Sequence, residues 1–493
     1  MRAARVILVV GAALLLARAV LAGHLGLFSD EAYYWMCSRR LDLAFADEPV
    51  LVALLVRGGT ALAGDTTFGV RLLFLGCSAL LPAVVWALAR PLVSREQALL
   101  AAALTLALPV VAATGTLATP DAPLLVLAAA TLAAFERATR TGARRWWVAT
   151  GVAAGLGFCT HLRFSLVVFA ALLFLLLTRA GRRHWRTAGP WLAAGLALLG
   201  LLPLLVFNVR EDFATFVYHL HDRHQVGRGP IAWPRHLVEQ ALATSPLLYV
   251  ALLASAVAAV RRARAGDERA GLLACFALVP LGVYFLAAPL SDISHNYWHW
   301  PQIGYLPLLV LLPGQLTAWR DRGRLLRGAA VLAPALGLGV LAFGQLDLAT
   351  GFVGWVPRHP FAGWSAMADA VRAELRPTRV VVADTYIAGA ELSFELGGAA
   401  EIYVLDHPVN HKHGRALQYR LWGLDEPALA ARAGQEVLLV LDEDTTRRSD
   451  RTAWDAHVRA LFSGLDGLRA LEADGRSFEL GPATLAAAPT AGS

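Results

Sequence analysis

The stretch VILVVGAALLLARAVLAGHLGLFSDEAYYW (residues 6–35) decides the class of fold. Residues 6–27 form an almost wholly apolar run, and a helix that crosses a bilayer needs about 20 such residues. Asp30 and Glu31 stand side by side where the run ends, and three aromatic residues follow closely. The stretch therefore predicts a first transmembrane helix that leaves the membrane next to two carboxylates.

The composition predicts a multi-pass membrane protein. Of the 493 residues, 57% are hydrophobic and 16% are charged, whereas soluble domains carry about 25% charged residues. The net charge of +7 comes from short loops rather than from a basic tract, so we expect no nucleic-acid partner. The four cysteines form neither a zinc pattern nor a disulfide framework.

Apolar runs continue along residues 1–350. The stretch 146–178 is too long for one crossing and is interrupted by CTHLRF, so we interpret it as two short helices that meet at a polar tip near His161 and Arg163. About 11 spans are predicted, this pair together with 6–27, 66–89, 97–113, 121–135, 188–207, 237–260, 271–290, 303–318 and 328–348.

The distribution of arginine predicts the orientation of the chain. Alternate short loops are rich in Arg, and such loops remain in the cytoplasm. The N-terminus is then cytoplasmic, and an odd number of spans places the C-terminal part outside. The first loop (residues 28–65) lies on the same outer side.

Residues 351–493 have the composition of a soluble domain. RVVVAD (379–384), EIYVLD (401–406) and EVLLVLDE (436–443) are typical of buried strands. Residues 364–375 and 453–465 have helical periodicity. Strands that alternate with helices predict a small α/β domain with a partly parallel sheet.

Polar and aromatic residues collect at the predicted outer ends of the spans. The first loop contributes Asp30, Glu31, Tyr33, Asp47 and Glu48. Other segments contribute Arg71, Asp121, His161, Arg163, His295 and Trp298. Helix capping also explains Asp121, snorkelling also explains Arg71, and an interfacial belt also explains the aromatic residues. Two adjacent carboxylates have no such structural explanation, so we assign a function to Asp30.

This combination of side chains fits a lipid-linked substrate, whose tail lies in the bilayer and whose phosphate lies at its surface. A carboxylate can accept a proton from an acceptor hydroxyl. Arginine or histidine can stabilise the charge of a departing phosphate.

Six motifs follow one another along the chain: DEAYYW, LAFADEPVLVALLVRGGTALAGDTTFGVRLL, TGTLATPDAPLLVLAAATL, GLGFCTHLRFSLVV, VFNVREDFATFVYHLHDR and HNYWHWPQIGYLPLL. In this order they resemble those of the bacterial glycosyltransferase family 39 proteins, which are related to protein mannosyltransferases and to the lipid A aminoarabinose transferase. VADTYIAGAELSFELGG and ALQYRLW resemble segments of the outer domain of bacterial members. The resemblance implies the GT-C fold and transfer of a sugar from a polyprenyl-phosphate donor at the outer, periplasmic face of the inner membrane.

By analogy with the family, Asp30 takes the position of the base and Asp121 that of the acidic residue before the fourth span. Relatives carry a cation near Glu48, whereas this chain reads Asp-Glu-Pro-Val, so Asp47 and Glu48 are assigned to substrate binding. His161 stands where relatives often carry lysine.

We predict an inverting glycosyltransferase in which Asp30 deprotonates the acceptor. Either Glu31 or Asp121 orients Asp30 or binds acceptor hydroxyls, and Asp121 is accordingly a substrate-binding candidate. Tyr33 and Trp298 are further substrate-binding candidates. The candidate phosphate ligands are Arg163, Arg71, His161 and His295. No metal or other cofactor is required by this mechanism, although the carboxylates could bind a divalent ion.

Three alternatives remain open at this point. The protein could be a flippase of lipid-linked sugars, a polymerase or ligase of surface polysaccharide, or a membrane scaffold. A flippase is expected to have two similar halves, and residues 1–175 and 176–350 show no repeat. The sequence predicts a lipid, glycan or protein acceptor without choosing among them.

Overall fold

The computed structural model describes residues 2–219, 232–290, 297–376, 380–446 and 451–486. Its first part is helical. The helices are α1 (Arg2–His24), α2 (Ser29–Arg39), α3 (Leu51–Ala63), α4 (Thr67–Ala89), α5 (Arg95–Leu106), α6 (Pro109–Thr114), α7 (Asp121–Thr141), α8 (Arg144–Phe158), α9 (Ser165–Leu177), α10 (Arg179–Arg182), α11 (Ala188–Arg210), α12 (Ala214–Val217), α13 (Ala232–Thr244), α14 (Pro246–Arg264), α15 (Glu268–Ala287), α16 (Tyr305–Arg320) and α17 (Arg324–Thr350).

Six helices in the described ranges are long and apolar enough to cross a membrane: α4, α7, α11, α14, α15 and α17. Two bent helix pairs raise this number to eight if each pair is one span. The first joins α1 to α2 at 76°, and the second joins residues 162–177 to 179–186 at 91°. The predicted class, a polytopic helical membrane protein, is confirmed, whereas the number of 11 spans stays a prediction.

Two predicted helices are each broken into two. The run 97–113 divides into α5 and α6 before Pro109, and the run 237–260 divides into α13 and α14 before Pro246. Proline lacks an N–H group and disfavours helical geometry in the residue before it. Ser245 accordingly has φ 74° and ψ 136°. The first run remains apolar through its break, and the second contains only the short polar pair Thr244-Ser245 there, which is why the sequence pattern favoured one helix in each case.

The polar tip predicted at residues 160–163 is present. Helices α8 and α9 are separated by a 3₁₀ turn, Leu162–Phe164. Helix α8 packs closely on α11, because a Cβ atom at Gly200 would lie 2.2 Å from the carbonyl oxygen of Gly155. This close packing fixes the helix that carries the tip.

The C-terminal α/β unit (residues 364–486) contains a six-stranded sheet. Its strands are β1 (Val380–Ala383), β2 (Ile402–Val404), β3 (Glu436–Asp442), β4 (Phe462–Ser463), β5 (Arg469–Ala473) and β6 (Arg476–Leu485). Its helices are α18 (Trp364–Glu374), α19 (Tyr386–Glu395), α20 (Pro408–Lys412), α21 (Arg415–Leu421), α22 (Glu426–Ala430), α23 (Glu443–Thr446) and α24 (Arg451–Leu461). The predicted small sheet is therefore confirmed.

The sheet is partly parallel, as predicted. Strand β1 pairs in parallel with β2 and β3, and β6 pairs antiparallel with β3, β4 and β5. Strand β6 was not predicted, because its Gly481-Pro482 pair is typical of a turn. In the structure Pro482 lies opposite Leu438 within the ladder.

The α/β unit packs on the first loop through a shared apolar core. Buried residues of this core come from α2 and α3, with Tyr33, Trp35 and Val56 among them, and also from β1, β3 and α19. Burial of apolar area is the main favourable term in such an association. Helix α19 packs directly against α2, the helix that carries Asp30.

Candidate active site

A cavity of about 1400 Å³ lies between the membrane helices and the α/β unit. Pockets for drug-sized molecules occupy roughly 300–1,000 Å³, so this cavity suits a larger ligand. Its apolar lining includes Leu21, Leu25, Val110, Ala113, Val340, Leu341, Leu348 and Phe361. Its polar lining includes Asp30, Glu48, Asp121, His161, Arg163, His299, His411, Lys412 and His413. A cavity with both kinds of wall can hold an amphiphile.

Asp30 and Glu31 are adjacent in sequence but occupy different environments. Both lie in the first turn of α2, and consecutive helical residues do not face each other on a helix surface. Asp30 lines the cavity, and its side chain is 30% exposed. Glu31 is fully buried. The two carboxylates therefore cannot act as equivalent partners on one ligand.

Glu31 is held by a buried arginine. Its carboxylate accepts hydrogen bonds from Arg71 Nε (2.8 Å) and Nη2 (2.5 Å) and from the backbone N–H groups of Phe28 and Ala118. The remaining N–H groups of Arg71 reach the carbonyl oxygens of Ala22, Leu25 and Gly26. All five guanidinium donors are thus used. Arg71 has no donor left for a phosphate, and its position supports the fold around Glu31.

Asp47 and Tyr33 form a second buried group behind Asp30. The Tyr33 hydroxyl donates to Asp47 Oδ1 at 2.9 Å. The guanidinium of Arg415 donates from Nη1 to Asp47 Oδ2 and from Nη2 to Asp30 Oδ1, the latter at 3.0 Å. Its central carbon lies 3.7 Å from the centre of the Tyr33 ring. Asp47 and Tyr33, both predicted to bind substrate, therefore lie behind the cavity wall.

Arg415 reaches this position from the α/β unit. It begins α21 directly after Gly414, which has φ 73°. A Cβ atom at Gly414 would lie 2.8 Å from the Tyr218 ring, so only glycine fits this turn. Burial alone would lower the pKa of Arg415, but Asp47, Tyr33 and Asp30 outweigh burial and raise its pKa well above the ordinary value. The guanidinium therefore stays charged.

Asp121 and Arg163 form an ion pair in the cavity wall. Asp121 Oδ1 accepts from Arg163 Nη1 at 3.1 Å and from Gln302 Nε2 at 2.9 Å. The Arg163 guanidinium also lies over the Trp300 ring at 5.0 Å. Among the described residues, Arg163 Nη1 makes the hydrogen bond to Asp121 and Nη2 has no hydrogen-bond partner. The position therefore combines a permanent cation with unused donor capacity, as a phosphate site requires.

His161 has a defined protonation pattern. Its Nδ1 accepts a hydrogen bond from the backbone N–H of Arg163 at 2.9 Å, so Nδ1 carries no proton. Its Nε2 lies 3.4 Å from Glu48 Oε1. A histidine with this pattern is neutral and carries its proton on Nε2. This arrangement favours Arg163 over His161 as the cation of the site.

The segment after α15 supplies aromatic and amide side chains. Trp298, His299 and Trp300 line the cavity, and His299 Nε2 lies 3.5 Å from Asp121 Oδ2. His295 lies outside the described residues. The predicted residues that meet at the cavity are Asp30, Glu48, Asp121, His161, Arg163 and Trp298. Those placed behind its wall are Glu31, Tyr33, Asp47 and Arg71.

The sequence prediction missed the basic residues of the α/β unit. His411, Lys412 and His413 line the cavity, and Arg415 lies directly behind it. One signal was visible, since Lys412 is the sole lysine in the sequence. Arg415 gave no signal of its own, although it directly precedes ALQYRLW (416–422), a segment that resembles the outer domain of bacterial family members.

Guanidinium groups pair with four of the predicted acidic residues, among them Glu31 with Arg71. Asp30 and Asp47 share Arg415, and Asp121 binds Arg163. Within the described ranges, no three His, Cys, Asp or Glu side chains converge to hold a metal ion.

Comparison with known proteins confirms the resemblance predicted from the sequence. Residues 47–207 match the family described as dolichyl-phosphate-mannose-protein mannosyltransferase. An undecaprenyl phosphate-alpha-4-amino-4-deoxy-L-arabinose arabinosyl transferase of Sodalis glossinidius is 29% identical over 67% of this chain and 60% of its own length. The lipid A galacturonosyltransferase RgtD of Rhizobium johnstonii is 27% identical over 58% of this chain. The chain spans 60% and 59% of the length of these two relatives.

The fold is also shared with solved structures. ArnT of Cupriavidus metallidurans, bound to undecaprenyl phosphate, superposes with a TM-score of 0.68 over 98% of this chain and 99% of its own, at 16% identity. The oligosaccharyltransferase of Archaeoglobus fulgidus superposes with a TM-score of 0.53 over 96% of this chain and 72% of its own, at 10% identity. The chain therefore has the GT-C fold that the resemblance implied.

Proposed function

We propose that this protein is an inverting glycosyltransferase of the bacterial inner membrane. It transfers a sugar from a polyprenyl-phosphate donor to a glycolipid acceptor of the lipid A type at the outer face. The name of the arabinosyl transferase relative supports the donor class, and that of the lipid A galacturonosyltransferase relative supports the acceptor class.

One observation carries this proposal. A carboxylate with an unengaged oxygen (Asp30), a buried arginine (Arg163) and an apolar wall from α1, α6 and α17 line one cavity. A polyprenyl-phosphate sugar needs all three, since it has an apolar chain, a phosphate and an anomeric carbon that must be attacked. Neither a flippase nor a scaffold needs a positioned base.

The chemistry is a single displacement at the anomeric carbon. Asp30 takes the proton of an acceptor O–H group, and the acceptor oxygen forms a bond to the anomeric carbon. The bond between that carbon and the phosphate oxygen breaks, and its electron pair leaves with the polyprenyl phosphate. The configuration at the anomeric carbon inverts because the acceptor attacks opposite the leaving group.

Arg163 is the proposed ligand of the leaving phosphate. It lines the cavity and is only 7% exposed, so its charge acts in a partly dehydrated site, where electrostatic stabilisation is stronger than in water. Asp121 and the Trp300 ring hold the guanidinium in place. Lys412 adds a second positive charge to the cavity from the α/β unit. Arg71 is reassigned from the phosphate to the support of Glu31.

The proposed topology has 11 spans, a cytoplasmic N-terminus and an extracytoplasmic C-terminal domain. Residues 1–350 form the membrane-embedded catalytic domain, and residues 351–493 form the outer domain. Two features support this orientation. Arginine is concentrated in alternate short loops. The α/β unit also packs against the first loop, so both must lie on one side of the membrane.

The decisive experiment uses the purified full-length protein in detergent or nanodiscs with a synthetic polyprenyl-phosphate sugar and lipid A. Release of polyprenyl phosphate and formation of glycosylated lipid A are measured by mass spectrometry. The transferase releases polyprenyl phosphate only when acceptor and Asp30 are both present. Transbilayer movement of intact donor without release would support the flippase instead.

A further inference from the structure

We propose that Arg415 of the α/β unit is a positioning residue for Asp30, so that the base of the reaction is held by a side chain from outside the membrane helices. This inference rests on the proposed transferase function. It adds a residue that connects the C-terminal unit to the chemistry.

The Arg415 guanidinium is held in place by contacts with carboxylates at both terminal nitrogens and with aromatic rings. Its two terminal nitrogens bind two different carboxylates of the first loop, Asp30 and Asp47, which lie 385 and 368 residues away in the chain. The Tyr33 ring lies against the guanidinium at 3.7 Å, and the Tyr34 and Tyr386 rings lie at 5.6 Å. A planar group held on its faces and at both ends has little freedom to rotate.

The exposed fractions of Arg415 and Asp30 indicate which of the two can contact the substrate. Arg415 is 4% exposed and Asp30 is 30% exposed. Asp30 lines the cavity, whereas Arg415 does not. Arg415 therefore touches the base from behind and acts on the substrate only through Asp30.

The geometry also selects which oxygen of Asp30 takes the proton. Arg415 Nη2 donates a hydrogen bond to Asp30 Oδ1 at 3.0 Å. In the described part of the chain, Oδ2 of Asp30 has no hydrogen-bond partner. A carboxylate fixed through one oxygen presents the other in a defined direction, and a misplacement of about 1 Å can cost on the order of 100-fold in rate.

Asp47 holds the other end of the Arg415 guanidinium and does not line the cavity. It is 4% exposed and accepts from both Arg415 and Tyr33. A buried carboxylate paired in this way fixes the guanidinium, because any displacement of Arg415 would leave Asp47 unpaired at considerable cost. The ion pairs of Arg415 with Asp47 and Asp30 also join the α/β unit to the first loop.

A double-mutant cycle tests the proposal. We expect Arg415→Met to lower kcat roughly 100-fold with little change in the donor KM, and Arg415→Lys to recover part of this loss. Asp30→Asn alone should lower kcat about 10²–10⁴-fold. If Arg415 acts through Asp30, the double variant will be no slower than Asp30→Asn alone.

Arg420→Met is the matched control, because Arg420 lies on the same helix and its side chain is 63% exposed. Its kcat should equal that of the wild type. Losses that multiply in the double variant, or a wild-type rate for Arg415→Met, would overturn the proposal. If Arg415→Met does not fold, the cycle with Arg415→Lys decides in the same way. A wild-type protein without transfer activity would instead refute the proposed function.

Discussion

Glu31 and Arg71 form a doubly hydrogen-bonded ion pair in which neither side chain is exposed to solvent. The pair joins α2 to α4, and Arg71 also binds the carbonyl groups at the end of α1. It explains why the sequence places two carboxylates side by side at the end of its first helix. Glu31 fixes the first turn of α2 from inside the protein, and Asp30 is thereby presented to the cavity.

Arg71→Met should destabilise the protein without weakening its hold on the donor. Removal of one partner of a buried ion pair costs roughly 3–5 kcal/mol, because the other charge stays buried and unpaired. Thermal unfolding should show a lowered Tm, and titration of the folded protein should give a donor KM close to that of the wild type. Glu31→Gln should likewise lower the Tm and leave kcat close to the wild-type value. A normal Tm with a raised donor KM would return Arg71 to the phosphate site.

Asp30→Asn should abolish transfer and preserve the fold. The amide is nearly isosteric but cannot accept the proton, and loss of a positioned base typically costs 10²–10⁴-fold. Release of polyprenyl phosphate is the measurement, and Tm reports the fold. Asp42→Asn in the same loop is the control, since Asp42 pairs with the exposed Arg210 and lies outside the cavity lining. A folded Asp30→Asn protein with normal turnover would place the base elsewhere.

Arg163→Ala should lower transfer by about 10²–10³-fold, the loss seen when one donor to a developing negative charge is removed. Arg163→Lys should retain more activity because it keeps the charge. His161→Gln should have a smaller effect, since its ring is neutral in this arrangement. Arg179→Ala, an exposed arginine beyond the far end of α9, is the control. Equal activity of Arg163→Ala and wild type would remove Arg163 from the phosphate site.

Much of the fold follows from local sequence patterns. Long apolar runs predicted the helices, and short β-branched runs predicted β1, β2 and β3. The break before Pro109 was missed because hydrophobicity does not fall there, and the break before Pro246 was missed because the polar pair Thr244-Ser245 is short and has apolar residues on both sides. Strand β6 was missed because tertiary pairing with β3 outweighed a local turn signal at Gly481-Pro482.

The sequence predicts only those parts of the site that can be recognised within a single segment of the chain. Asp30, Asp121 and Arg163 stand at the ends of helices in motifs that resemble a known family, and the structure brings them to one cavity. The roles of Glu31 and Arg71 depend on which way each side chain faces, which adjacency in sequence does not define. The contact between Arg415 and Asp30 depends on tertiary packing across 385 residues, for which no local pattern exists.

The orientation in the membrane can be tested with reporters at the C-terminus. Alkaline phosphatase fused after residue 493 should be active, because the Arg-rich loops place this end outside the cytoplasm. A fluorescent reporter that matures only in the cytoplasm should be dark at the same site. The same two reporters fused after Arg144, in a predicted cytoplasmic loop, should give the opposite results. An inactive phosphatase at the C-terminus would show that the cavity lies on the cytoplasmic side, where an outer-face transferase cannot have its active site.

The buried side chain of Glu391 should make the stability of the protein depend on pH. It lies on α19, its side chain is fully buried, and neither carboxylate oxygen has a hydrogen-bond partner among the described residues. Burial raises the pKa of Glu391 well above its ordinary value, and the nearby charge of Glu31 raises it further. The folded protein therefore keeps the proton at a pH at which the unfolded chain has lost it.

Because the folded state binds this proton more tightly, stability should fall as the pH rises from the ordinary glutamate pKa, about 4.3, towards the raised value in the folded protein. Glu391→Gln removes the titration and keeps the shape, so its Tm should fall less than that of the wild type between pH 5 and pH 8. Glu401→Gln, at an exposed glutamate of the same unit, should follow the wild-type curve. Parallel curves for Glu391→Gln and wild type would show that Glu391 does not titrate in this range.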